Sequence, residues 1–261
     1  MSILDILKHP LARRNHDLDD GETDKIHRDI IISKPFLIKI YQLFYKKILN
    51  EFESQNIEDY KIIEIGAGGF NSNYFHPNIT TTDLESTPFI KEIQDAQNLK
   101  YEDNSLDGII LIDVLHHIPR PRLFFKEAQR CLKKGGKLIM IEPYYSAWGS
   151  LVYKNLHHEP WYDIENWDIP QTSGGRLSDA NMLMPHNIFI RDIKKFKNEF
   201  PNLKVYEIEK LNCFYYLISG GLSYRSILPG FLAPMVFFIE KLLSPFHRWL
   251  AMHMVIKIEK T

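Results

Sequence analysis

The 261-residue chain is poor in cysteine, in net charge and in long uninterrupted apolar runs. Its two cysteines, Cys131 and Cys213, provide neither a disulfide framework nor the paired spacing of a metal finger. A reducing, cytoplasmic setting is therefore expected, with contact at the inner face of a membrane left open. A net charge of −1 offers no global attraction for nucleic acid. Met1 to Lys8 lacks the sustained apolar core of a signal peptide. The most apolar stretch, near the C-terminus, is broken by Pro229, Gly230, Pro234 and Glu240. Crossing a bilayer takes about twenty mostly apolar residues, so no span is expected. There is no internal repeat and no low-complexity tract. What remains is an ordinary globular composition, 44% apolar and 25% charged, long enough for one substantial core plus an appendage.

The most informative stretch is Glu64-Ile-Gly-Ala-Gly-Gly-Phe70, preceded by Tyr60-Lys-Ile-Ile. A short β-branched run leads into a glycine turn, and Gly66 and Gly68 allow tight turning and close approach of a ligand. In open α/β sheets, cofactors bind where such turns leave the carboxyl ends of strands. A dinucleotide fingerprint would place glycine or alanine third, but the chain has Asn71 there. Glu64 would also repel a pyrophosphate. A carboxylate suits a cationic, phosphate-free cofactor, and S-adenosylmethionine meets that description.

Further along, Asn78-Ile-Thr-Thr-Thr-Asp-Leu84 reads as a second strand ending in an acid. Asp83, seventeen residues after Gly66, stands where an acid binds ribose hydroxyls. Asp95-Ala96 and Tyr101-Glu-Asp-Asn-Ser-Leu-Asp107 follow, and then the buried-strand run Gly108-Ile-Ile-Leu-Ile-Asp-Val-Leu-His-His-Ile-Pro119. Residues 121–134 read as an amphipathic helix with Leu123, Phe124, Ala128, Cys131 and Leu132 on one face, closed by Gly135-Gly136. Lys137 to Glu142 is a further strand, stopped by Pro143.

Over residues 60–145 the chain resembles the class I S-adenosylmethionine-dependent methyltransferases, of the type 11 kind. The resemblance rests on E-I-G-A-G-G, T-T-D-L, D-A followed by Y-E-D-N-S-L-D, D-V-L-H-H-I and L-K-K-G-G-K-L-I-M-I-E-P, in that order and spacing. It implies that Glu64, Gly66, Ala67 and Gly68 hold the methionine end of the cofactor. By the same resemblance Asp83 and Leu84 take the ribose, Asp95 and Ala96 the adenine, and Asp113 with the residues after it borders the methyl group. The K-P-F-L-I-K-I-Y run, the S-G-G-R-L-S-D-A-N run and the hydrophobic tail look similar to methyltransferases of bacterial surface-saccharide pathways.

The chain departs from the family pattern in two places. Only about ten residues separate Gly68 from the second strand, so the usual helix there is short by roughly a turn. Six residues between Asp83 and Ile90 are too few for a crossover helix. Either one face of the sheet lacks a helix, or residues 88–96 form no sheet strand. The expected fold is thus a Rossmann-like, doubly wound, mostly parallel α/β sheet with an antiparallel last strand, one face short of helix, plus an aromatic-rich cap.

The domain plan has four parts. Residues 1–58 form an arm and a packing helix, and residues 59–143 the cofactor-binding core. Residues 144–186 form an acceptor-binding cap. Residues 187–261 complete the sheet around a hydrophobic insert, 214–243. Residues 9–30, polar and charged, read as a mobile arm or as a lid in which Arg13 and Arg14 recognise an acidic acceptor. Ser33-Lys-Pro35 reads as the start of a helix carrying Phe36, Leu37, Ile40, Leu43, Phe44, Ile48 and Phe52 at helical spacing, with Tyr41 and Tyr45 read as core. Residues 186–200 read as a second helix with Ile190, Ile193, Phe196 and Phe200 inward. Leu203 to Leu211 and Met252 to Ile258 alternate as the final antiparallel pair. For 214–243 three readings stand: a core or subunit-contact helix, a surface touching membrane or a lipid-linked acceptor, and plain loop. Arg225, Lys241, His247 and Arg248 flank it, as in interfacial segments.

Methyl transfer from a sulfonium needs alignment and a dry site rather than a protein nucleophile. A hydroxyl acceptor gains from a general base, for which histidine is suited near neutral pH. The candidate catalytic groups are His117, His158 and Glu142. The candidate acceptor contacts are His116, Tyr144, His157, Trp161 and Arg176. Because neighbours rarely share a face, only one of His116 and His117 is expected at the cofactor. Arg176 and Arg191 read as surface charges sooner than as anion clamps. No metal is expected, since adjacent histidines such as His157 and His158, with Glu159 and Asp163, suit one ion poorly. The expected function is methyl transfer to a small or lipid-linked, possibly saccharide, acceptor at oxygen. The alternative is an inactive cofactor-binding protein docking through 214–243.

Overall fold

The computed structural model describes residues 7–13, 19–52, 59–157, 159–170 and 175–261. Arg14 and His158 therefore lie outside the described residues. Seven strands form one sheet: β1 (Ile62–Ile65), β2 (Thr80–Asp83), β3 (Glu92–Ile93), β4 (Leu106–Ile112), β5 (Leu132–Pro143), β6 (Leu203–Leu211) and β7 (His253–Lys260). Their order is β3-β2-β1-β4-β5-β7-β6. Only β7 runs against the rest, pairing antiparallel with both β5 and β6. This is the doubly wound, mostly parallel fold that the sequence pattern predicts.

Central strands of such a sheet are buried on both faces, so they read as continuous apolar runs. Alternate residues of β4 and β5 divide between two cores. Ile109, Leu111, Leu138 and Met140 face one, and Ile110, Ile139 and Ile141 face the other. The first face is covered by α3 (Pro121–Cys131) and α5 (Ile193–Glu199). The second is covered by α2 (Pro35–Leu49), whose Phe36, Leu37, Ile40, Phe44 and Ile48 form the apolar stripe. Burying a side chain of this size is worth about 1.5–3 kcal/mol, so the α2 stripe is a strong anchor of the N-terminal region, joined by Ile31 of the preceding helix.

Several sequence expectations need correction. Residues 22–33 are not an arm but helix α1 (Glu22–Ser33), which buries Ile26, Ile30 and Ile31. Ser33 ends α1 rather than capping α2, and its hydroxyl donates to the Ile30 carbonyl at 2.8 Å. Lys34 takes the capping position, and its ammonium reaches back to the Ser219, Gly221 and Tyr224 carbonyls. Helix α3 ends at Cys131, and Phe125 rather than Leu123 completes its buried face. The 186–200 helix is interrupted: π-helical Asn187–Arg191 precedes α5, with Ile188 and Phe189 buried. β7 alternates in sequence yet is buried on both faces, because β5 and β6 flank it and its first six residues are all buried.

The shortage of helix is larger than expected. β1 reaches β2 through a single 3-10 turn, Ser72–Tyr74, and β2 to β3 and β3 to β4 are linked by loops. β3 is two residues long, yet pairs in register with β2. The 144–186 segment holds α4 (Ala147–Leu156), capped by the Ser146 hydroxyl accepting from Gly149 N–H at 2.8 Å. The hydrophobic insert forms α6 (Tyr215–Ser219) and α7 (Ala233–Leu243), with α8 (His247–Leu250) after them. Ala233 and Val236 of α7 face the protein. Glu240 does too, accepting the Cys213, Phe214 and Tyr215 amides that open α6.

Candidate functional site

One cavity of about 850 Å³ opens at the carboxyl end of the sheet. Its first wall is mostly backbone. Gly66 and Gly68 sit at φ +62° and +56°, in the left-handed region that only glycine enters cheaply. A Cβ on Gly66 would also lie 2.6 Å from a Val114 methyl. Ala67 N–H donates to the Thr82 carbonyl at 3.0 Å, tying the turn to β2. Glu64 lines the cavity but is 2% exposed. Its carboxylate accepts from Tyr45 O–H at 2.6 Å and Ser72 N–H at 2.8 Å. Burial outweighs those bonds and pushes its pKa up to about 7.

Asp83 ends β2 against the same turn. One oxygen accepts from Gly68 N–H at 3.3 Å, and the other from Leu84 N–H at 2.7 Å. Arg176, arriving from the 144–186 segment, donates to Asp83 at 3.3 Å and to Asp24 of α1 at 2.9 Å. The sequence reading of Arg176 as a surface charge is thus wrong: its side chain is 6% exposed and clamps three parts of the chain together. Arg191 does lie at the surface, paired with Asp163 and Asp192. Asp95, Ala96 and Leu84 line the far end of the cavity.

Beyond the turn, Asp113 holds φ +54°, uncommon for a residue with a Cβ and characteristic of functional sites. Burial and then the charge of Glu142 push its pKa up to about 7. The 3-10 turn Leu115–His117 follows. It brings both imidazoles into the cavity wall with centroids 4.3 Å apart, so the expectation that only one would face the site fails.

Glu142 does not face the cleft, contrary to expectation. It is fully buried and accepts from Val114 N–H at 3.0 Å, Leu115 N–H at 2.7 Å and His116 Nδ1–H at 2.7 Å. It builds the histidine turn and is not placed to take a proton from an acceptor. On the cavity side Glu159 lies 3.4 Å from His116 Nε2 and 3.8 Å from His117 Nε2. Burial pulls His116 down, but the two carboxylates carry it up to about 10. Burial and the charge on His116 push His117 down to about 4, leaving it neutral. Its Nδ1–H donates to the Asp179 carbonyl at 2.9 Å, so the lone pair sits on Nε2.

The opposite wall is made of side chains from distant segments: Tyr41, Val152, Tyr153, His157, Met182, Tyr216, Met252 and His253. The cavity extends past Ile26, Ile30, Leu222 and Ile227 to the surface. Ile227 is 66% exposed and Phe231 78%, and Phe238, Leu242 and Trp249 continue an open apolar ridge. No helix among the described residues is long and apolar enough to cross a membrane.

Two predicted acceptor contacts are misplaced. Tyr144 is buried outside the cavity, under the Lys210 ammonium. Trp161 stands behind the wall, against Tyr145 and Tyr153. Trp167 belongs to the sheet core, with Arg122 stacked on it at 4.1 Å. His116, His117, His157 and Arg176 all line the cavity. Sequence reasoning missed Asp24, Tyr153, Tyr216 and His253, because nothing local marks them; Glu159 was weighed only for its neighbours in sequence.

Residues 64–140 match the family model described as "Methyltransferase domain". The ubiquinone/menaquinone biosynthesis C-methyltransferase of Rhizobium rhizogenes is 31% identical over 104 residues, which are 40% of this chain and 37% of that protein. Its counterpart in Agrobacterium fabrum is 29% identical over 105 residues, again 40% and 37%. The match thus spans little more than a third of these curated relatives. The crystal structure of geranyl diphosphate C-methyltransferase from Streptomyces coelicolor, in complex with Mg2+, geranyl diphosphate and S-adenosyl-L-homocysteine, superposes with a TM-score of 0.53 at 11% identity. It covers 98% of this chain and 89% of its own, a likeness of fold.

Proposed function

The chain carries, over residues 64–140, a methyltransferase domain of the S-adenosylmethionine-dependent kind, and from that premise we propose that the whole protein methylates an amphipathic, small or lipid-linked acceptor at oxygen. The observation that carries this reading is the single cavity joining the Glu64–Gly68 turn and Asp83 to the His116–His117–Glu159 cluster. A donor lodged along the turn would set its methionine end against Gly66, Ala67 and Gly68, its ribose on Asp83 beside Leu84, and its adenine near Asp95 and Ala96. The sulfonium would then face Glu64 and Asp113, two carboxyls on the path to the cluster.

Transfer is an in-line displacement that discharges the sulfonium, so alignment dominates and can contribute about 7–11 kcal/mol. Tyr41, Tyr153, Tyr216 and Met252 around the cavity exclude water from that line. Oxygen is the atom the cluster suits, because His117 Nε2 and Glu159 are both acceptors able to receive a hydroxyl hydrogen. The apolar arm of the cavity, from Ile26 and Ile30 to Ile227, suits a long apolar tail. Where that arm opens, Arg225 stands beside it, and Lys241 and Arg248 border the ridge, as at surfaces that rest on anionic lipid. A saccharide headgroup would find its hydrogen bonds at His157, Glu159 and Arg176.

Calorimetry separates this reading from its rival, an inactive cofactor-binding protein. Saturable binding of S-adenosylmethionine and S-adenosylhomocysteine, with labelled methyl entering a lipid extract, supports transfer. Binding of NAD in their place would overturn it, and binding of both sulfur compounds without transfer to any extract would favour the inactive protein.

A further inference from the structure

We propose that His116, His117 and Glu159 form a site for one divalent transition-metal ion of the zinc type, on the acceptor side of the cavity. This deepens the reading above, and rests on it only for the ion's role. One ligand atom from each residue lies within 4.8 Å of the others. Bonds of about 2.0–2.1 Å in a tetrahedron put ligand atoms about 3.3 Å apart. The His116–Glu159 and His117–Glu159 distances, 3.4 and 3.8 Å, are already near that edge.

The ligands are oriented as metal ligands are. A metal-binding imidazole almost always gives its other N–H to a carboxylate or a backbone carbonyl. His116 gives Nδ1–H to Glu142 and His117 gives Nδ1–H to the Asp179 carbonyl. A carbonyl only accepts, so the His117 lone pair is on Nε2 and faces a Glu159 oxygen. Two acceptors turned toward each other call for a cation between them. The other Glu159 oxygen is buried 3.4 Å from His116 Nε2, in a contact that falls short of hydrogen-bond geometry.

Two imidazoles and one carboxylate favour zinc, iron or cobalt over magnesium, which prefers oxygen ligands. Three protein ligands leave a position for an acceptor hydroxyl, whose pKa an ion there would lower; with His117 Nε2 and one Glu159 oxygen on the ion, the second Glu159 oxygen would receive the proton. A second cluster, Cys213, Glu240 and His247, is also compact. Its carboxylate, however, is already committed to the three amides at the start of α6.

The test is titration of chelator-treated full-length protein with Zn2+ by calorimetry and with Co2+ by visible absorption. The wild type should take up one equivalent and give Co2+ bands of a nitrogen–oxygen set without a sulfur charge-transfer band. His117→Ala and Glu159→Gln should each weaken uptake at least about tenfold while keeping the wild-type circular dichroism. Cys213→Ser should bind as the wild type does. The proposal is overturned if the wild type takes up neither ion, if both variants bind like wild type, or if Cys213→Ser abolishes uptake. In the first case a proton on His116 is what bridges the carboxylates. S-adenosylhomocysteine affinity, measured alongside, separates the two readings: cofactor binding without metal sinks only the metal site, and metal binding without cofactor sinks only the proposed function.

Discussion

The two walls of the cavity are built by different means. On the side proposed for the donor the shape comes from backbone: two glycines at positive φ, amides of Ala67 and Gly68 bonded to β2, and Asp113 held at φ +54°. On the side proposed for the acceptor it comes from side chains of distant segments, contributed by α2, α4, α6, the start of β7 and the loop that holds Met182. A backbone-built wall recognises what every member of a cofactor class shares. A side-chain-built wall is free to vary with the acceptor. Substitutions on the two sides should therefore fail in different ways.

The largest effect is expected at Gly66. Gly66→Ala forces a Cβ into Val114 at a strained φ, a cost of about 1–3 kcal/mol before relaxation. Thermal denaturation should show a clear drop, and cofactor binding should be lost. A stable, binding-competent variant would break the claim that the donor wall depends on backbone shape. Next comes Glu64→Gln, which removes a charge while keeping a similar shape. A hydrogen bond to a charged group is worth about 1.5–3 kcal/mol, so S-adenosylmethionine affinity should fall about ten- to a hundredfold. The loss should be smaller for S-adenosylhomocysteine, which lacks the sulfonium.

On the acceptor side, Glu159→Gln should leave cofactor affinity within a few-fold and lower turnover by about 10²-fold or more. Equal losses in both would erase the distinction between the walls. Smaller is the pH effect. Glu64 and Asp113 are each raised to about 7 from 4.5 and 3.8, chiefly by burial. A raised carboxyl binds more protons in the fold than in the unfolded chain, so the stability these two supply is present at low pH. It is lost as pH climbs from about 4 through 7. Affinity for the cationic donor should rise over the upper part of that window, because binding favours ionised Glu64. A flat profile between pH 5 and 8 by calorimetry would contradict this. Smallest is the ridge: Phe238→Ser with Trp249→Ser should lower partitioning onto anionic vesicles about three- to tenfold while cofactor affinity stays put.

The same contrast explains what could be read from the chain. Glu64, Gly66, Gly68 and Asp83 stand at fixed offsets from strand ends, so local spacing finds them. Strands β1, β2, β4 and β5 are legible as β-branched or apolar runs, and β6 and β7 from their alternation. Helix α1 escaped because its first two turns carry a single apolar residue, Ile26, among charges that look solvated, and only Ile30 to Ile32 follow. Trp161 was misread because an aromatic-rich insert gives no sign of which rings turn to the cavity and which pack behind its wall. Arg176 was misread because its partners, Asp24 and Asp83, are distant in sequence. Glu142 sits at the end of β5, where an acid commonly faces the cleft. Here the amides of Val114 and Leu115 claim it.

The most direct measurement is a calorimetric titration of S-adenosylmethionine into the wild type and into Glu64→Gln, at pH 6 and pH 8. A cationic donor seated at the end of β1 predicts saturable binding by the wild type, tighter at pH 8, and a loss of affinity and of that pH dependence in the variant. Equal affinity of both proteins at both pH values would place the donor somewhere other than beside Glu64.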